Sequence, residues 1–281
     1  MAVFRSSYYQ LFFLQAIADF YMFLTIEFVM RPRKYNFFNL FNEDMHSYAV
    51  FSYFNMICSQ TVLCCGHLLI SANRLTAFYK PLTHEEIWST KHTLLAVLFM
   101  WILSIISALP FLFIFPESIR FYLMKKGIVQ LFAGGFATLY DTIQSVVINT
   151  TVVLFCSVSY VCCFMMARKT VGRNASIEHN LLICAATSAF PFFIEFIRAI
   201  AGVFSSFNGL SELYVLLTEL WFYEIEVVAS LPMWLQVIVN KSLRDCLLAE
   251  FSKLRKRSTP STILPDRGCG VSSNMVTIYS R

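Results

Sequence analysis

A chain of 281 residues that is 57% hydrophobic, 16% aromatic and only 14% charged lacks the roughly 25% of charged residues that a water-exposed domain carries. That excludes an ordinary soluble domain and leaves a membrane protein. The net charge of +5 follows from the sidedness of Lys and Arg described below and implies no nucleic-acid partner.

The apolar segments fall at 7–30, 47–72, 93–115, 140–166, 180–203 and 213–239. At about 1.5 Å per helical residue, each exceeds a hydrocarbon core of about 30 Å. The first contains Asp19 and Glu27 and is longer than the apolar core of a signal peptide, so it reads as a retained span. The connection at 31–46 opens with Arg31, Arg33 and Lys34. The second segment ends at Asn73-Arg74, and Pro81-Leu82 follow in a polar, partly acidic loop. His67 sits on this span and reads as a packed core histidine. The connection at 116–139 has no sustained alternation of period two, and neither does any span, so strands are not expected and a helical bundle outranks a barrel.

The fifth segment carries Glu195 and Arg198, three apart on one helix face and able to pair. On the sixth, Glu219 and Glu226 share a stripe, while Glu224 lies off it and must face a neighbouring helix or the outer interface. A charge at the bilayer centre costs at least about 2.5–3.5 kcal/mol, so such residues face the bundle interior. They either fasten helices together or, for Glu195, Arg198 and Glu219 in the outer half, line a ligand cavity. The expected fold is therefore an all-α membrane-spanning bundle of six spans over 1–250, with 251–281 a disordered cytoplasmic tail.

Lys and Arg orient it. Arg5, Arg74, Lys80, Lys91, Arg168, Lys169, Arg173 and the basic tail fall on one side; Arg31, Arg33, Lys34, Arg120, Lys125 and Lys126 fall on the other. The bias puts both ends in the cytoplasm. No cysteine falls in an expected outer loop, so no extracellular disulfide is expected. The pairs Cys64-Cys65 and Cys162-Cys163 lack metal-ligand spacing and read as packing residues. No nucleotide-binding, nucleophile-elbow or zinc-hydrolase pattern occurs, so neither an enzyme, a cofactor nor a metal is expected.

Several stretches carry a resemblance. "QAIADFYMFL", with Asp19, resembles the second helix of rhodopsin-like G-protein-coupled receptors. Arg74 followed at seven residues by Pro81-Leu82 resembles the end of their third helix and second inner loop. Pro191 and Pro232 stand where the sixth and seventh helices have prolines. "NKSLRDC" resembles the short amphipathic helix that follows, with Cys246 as a lipidation candidate. "SANRLTAFYKPLTHEEIW" is similar to nematode serpentine chemoreceptors of the gamma superfamily, the srg and srv classes.

The resemblance implies that the six spans are helices two to seven and that helix one is lacking. It implies coupling to a heterotrimeric G protein through Arg74, Pro81 and Leu82, and switching through Asp19, Glu178, Pro191 and Pro232. Glu178 is the acid expected to restrain Arg74, because Asn73 stands where the family places a carboxylate. Ala189, Leu231 and Leu235 depart from the residues usual in helices six and seven, which puts the standard activation switch in question. The function implied is a plasma-membrane chemosensory receptor of a sensory neuron, with a small-molecule or peptide ligand, a G protein and membrane lipids as partners. Two alternatives stay open. One is a truncated, non-signalling product or modulator of full-length relatives. The other is a transporter or channel, which would need polar stripes through several helices. Arg74 itself could be no more than a positive-inside anchor.

Overall fold

The computed structural model describes residues 7–123, 128–168 and 182–239 apart from 184, 188 and 209, together with 244, 245, 248, 249 and 252. Inside a bilayer no water satisfies the backbone, so each span must bond to itself as a helix. The chain does this in α1 (Ser7–Lys34), α2 (His46–Tyr79), α3 (Thr90–Phe113), α4 (Phe136–Ala167), α5 (Pro191–Phe207) and α6 (Ser211–Val239). α2 is central and packs against α1, α3 and α4; α5 bridges α4 and α6, and α6 returns to α1. The result is an all-α membrane-spanning bundle. Helices α1 to α4 and the stretch Ala185–Ser205 are long and apolar enough to cross a membrane. α6, at 29 residues, is also long enough to span one.

Three boundaries depart from expectation. The second span does not stop at Asn73-Arg74. Both residues are buried and hydrogen-bonded, so α2 runs on to Tyr79. The 31–34 stretch is not loop but the last turn of α1, reached through a π-helical segment, Thr25–Met30. Pro32 has no N–H to give to the carbonyl four residues back, and the ladder loosens just before it. The connection at 116–139 holds an antiparallel hairpin, β1 (Ile119–Leu123) and β2 (Val129–Ala133), with Ile119 opposite Ala133. Ile119, Phe121 and Val129 are buried and pack with Tyr53, Ile57 and Phe111 at one end of the bundle. The inward residues alternate over too few positions to stand out in sequence.

α2 lies close to its neighbours because it presents small side chains, among them Ser52, Ser59, Gly66 and Ser71, all buried. At Gly66 a methyl group would sit 1.4 Å from Gln15 Oε1. Gln15 is held there by donating to Asp19 Oδ1 at 2.8 Å. Gly66→Ala must therefore displace Gln15 and break that bond. It is expected to cost about 1–3 kcal/mol, read as a lower melting temperature of the purified chain. The same substitution in a Gln15→Ala background should cost clearly less; an equal cost would show that the strain lies in the backbone.

Candidate functional site

Polar side chains gather in one half of the bundle, where α2, α4, α5 and α6 face one another. One helical turn joins Glu195 to Arg198 on α5: Arg198 Nε donates to Glu195 Oε2 at 2.7 Å and Nη2 to Oε1 at 2.6 Å. Glu224 of α6 reaches the same guanidinium, 3.4 Å from Nε. Glu195 is 2% exposed, and Gln60 of α2 donates to it at 3.3 Å. On α4, Asp141 accepts from Tyr53 Oη of α2 at 2.7 Å and lies within electrostatic reach of Arg198 and Glu195. Beside these groups is a narrow cleft with room for about one water, lined by Ile57, Gln60, Thr61, Gln144, Ser145, Ile148 and Asn149. Burial makes each pairing costly to break and leaves any unmatched polar atom in want of a partner.

Of the residues expected here, the structure brings Glu195 and Arg198 together. Glu219 falls on α6, where only its backbone is described. Glu224 does face a neighbouring helix, and Glu226 is on another side of α6. There it pairs with Arg31 of α1, which also holds Glu27 at 3.0 Å. The basic cluster Arg31–Lys34 thus belongs to the bundle. Arg33 and Lys34 are buried, over the rings of Phe121 and Phe222 at 5.8 and 4.0 Å. Asp141, Gln60, Tyr53, Gln144 and Asn149 were not singled out. The signal for the α4 set was legible: Asp141, Ser145 and Asn149 recur every four residues along an apolar helix, hence on one face.

At the other end of α2 lies the second candidate region. Arg74 is 3% exposed. Its guanidinium sits 4.1 Å above the ring of Tyr8 of α1 and donates to Asn73 Oδ1 at 2.9 Å. Asn73 in turn donates to Ser7 at 3.2 Å. The loop that follows is fastened by Thr76, which accepts from Trp88 Nε1 at 2.7 Å and meets His84 at 3.3 Å. His84 also meets Ser7 at 3.1 Å. Held from behind in this way, the loop presents Pro81 and Leu82 outward, with Leu82 95% exposed.

The expected switch residues are scattered. Asp19 is buried beside Gln15, with Oδ2 unpartnered. Pro191 is buried where the fifth span breaks: Phe190 and Phe193 make short-range bonds to Thr187 and Phe190 instead of a continuous helical ladder. The next residue, Phe192, packs 4.7 Å from the ring of His67, whose two nitrogens are buried without partners. Glu178 and Cys246 lie outside the described residues, and Pro232 falls on α6 with its side chain likewise outside them.

A search of curated proteins finds no match. Residues 1–253 match the serpentine type 7TM GPCR chemoreceptor Srv family, and the chain belongs to that family.

Proposed function

We propose that the chain is a chemosensory receptor that binds an external ligand in the cleft beside Glu195, Arg198 and Glu224 and activates a heterotrimeric G protein through Arg74 and the Pro81-Leu82 step. The observation that carries this reading is the division of labour along α2. Gln60 takes part in a buried charge cluster with a cleft. Arg74 lies about 21 Å further along the same helix, at about 1.5 Å per residue, beside a loop that exposes a leucine. A rigid helix touching both regions gives a ligand mechanical access to the far end. The family is one of receptors, and the distribution of Lys and Arg supports placing Arg74 on the cytoplasmic side.

On this reading the six long helices correspond to helices two to seven of the receptor fold, and the β hairpin lies on the outer side. The protein works in the plasma membrane of a sensory neuron, its apolar outer faces in contact with lipid. Leu82 enters a groove on the Gα subunit. Burying a leucine is worth about 1.5–3 kcal/mol. Leu82→Asp is therefore expected to lower basal nucleotide exchange on a panel of purified G-protein heterotrimers by about tenfold or more at equal surface expression. Exchange at the parental rate by the Asp variant would rule out this contact.

A further inference from the structure

We propose that Arg33, beneath the β hairpin at the end of α1, is the docking point for an oxyanion. This is a carboxylate or phosphate, carried by a soluble ligand or a lipid headgroup, and it reaches Arg33 as the hairpin moves outward. The inference goes beyond the receptor reading and rests on it only for which end of the bundle faces out.

Arg33 is 3% exposed, yet its Nε and Nη1 have no hydrogen-bond partner. Among the described residues no carboxylate pairs with it. Its neighbour Arg31 takes both Glu27 and Glu226. The acids of the adjoining loops, Glu43, Asp44 and Glu117, are exposed. The ionisable side chain within electrostatic reach of Arg33 is a phenol, Tyr48, whose Oη donates to the carbonyl of Val29 at 3.4 Å. What covers the guanidinium is Phe121 of β1, with Arg33 Cζ 5.8 Å from the ring centre. A ring at that distance offsets only a small part of what burying a charge costs. Buried polar groups are nearly always satisfied, and buried charges are paired. Arg33 also lies on the side opposite the main excess of Lys and Arg, so membrane orientation gives it no role either.

The partner that fits is an oxyanion, because the planar guanidinium fork matches carboxylate and phosphate oxygens. It takes the place of the Phe121 ring over Arg33. The hairpin is free to make room: Arg120, Tyr122, Leu123 and Phe132 on its outer face are exposed, and no described element lies over them. Arg120 adds positive field along the way in. Phe121 packs in one apolar cluster with Ile57, which lines the cleft, so the same movement loosens the cleft wall.

The test uses the full chain in alkyl maltoside micelles, which carry no phosphate. Acetate is the probe and acetamide its neutral counterpart, at constant ionic strength set with chloride. Acetate is expected to raise the melting temperature with a millimolar midpoint, and acetamide is not. Arg33→Met keeps an apolar stem and removes the unpaired charge. It should raise the melting temperature without acetate and abolish the acetate response. Arg33→Lys keeps the charge and loses the fork, so it should shift the midpoint about tenfold or more; it remains informative if the Met variant fails to fold. Phosphatidylcholine nanodiscs then separate the two sources. An acetate response that persists there assigns the site to a soluble carboxylate. A response that disappears while the parent gains stability over Arg33→Met assigns it to a lipid phosphate. No acetate response in micelles, a response that survives Arg33→Met, or an Arg33→Met chain less stable than the parent without acetate would overturn the proposal. The Leu82→Asp exchange measurement reports independently on the receptor reading.

Discussion

Arg198→Ala should remove the protein from the cell surface. The substitution takes the guanidinium from between Glu195 and Glu224 and leaves two carboxylates facing each other, Glu195 almost wholly buried. Breaking a buried pair by deleting one partner costs about 3–5 kcal/mol. Whole domains are stable by only about 5–15 kcal/mol, so the loss is a large share of the total. Removing all three charges together, as Arg198→Met with Glu195→Gln and Glu224→Gln, should restore much of the surface level. Replacing both partners of a buried interaction leaves no orphan behind. Surface fluorescence of a tagged chain compares the two. Arg198→Ala at parental level would mean that water reaches these carboxylates freely and that the cluster is not a packed element of the fold.

The second large effect concerns Arg74. If it contacts the G protein, Arg74→Ala abolishes nucleotide exchange at equal surface expression. The buried position of Arg74 adds a further expectation. Its guanidinium must leave the face of Tyr8 and the oxygen of Asn73 before it can meet a partner. A cation–π contact is worth about 0.5–2 kcal/mol. Tyr8→Leu keeps an apolar side chain there and removes the ring, so it should raise ligand-independent exchange by roughly 2- to 30-fold. Glu178→Gln tests the carboxylate restraint read from the sequence and should raise basal exchange separately. Arg74→Ala signalling like the parent would reduce the residue to a topological anchor. A silent Tyr8→Leu alongside an inactive Arg74→Ala would leave the coupling role intact and place the restraint elsewhere.

What could be read from sequence, and what could not, divides along physical lines. Long apolar runs announce helices, and the Glu195–Arg198 pair follows from a spacing of three. These are local properties. The extension of α2 through Arg74 and of α1 through Lys34 was hidden because charged residues at the end of an apolar run look like the edge of the membrane. Only tertiary neighbours reveal otherwise: Tyr8 for Arg74, Phe121 for Arg33, Glu226 for Arg31. Asp141 was overlooked for the same reason, lying at the expected border of its span when α4 in fact begins at Phe136. The hairpin was missed because five-residue strands in a loop carry too little alternation.

The π-helical segment Thr25–Met30 has a consequence for comparing this chain with its relatives. Such a segment accommodates an extra residue in a helix, and each residue advances the chain by about 100°. A relative whose first described helix is regular throughout would, once aligned without a gap, be one position out of phase beyond Met30. Its residues aligned with Arg31, Arg33 and Lys34 would then point a quarter-turn or more away from Glu226, Phe121 and Phe222, the partners these side chains meet here. Basic residues shared at those columns would be counted as equivalent without being so. A single-residue gap placed within 25–30 would put structurally matching positions back in register.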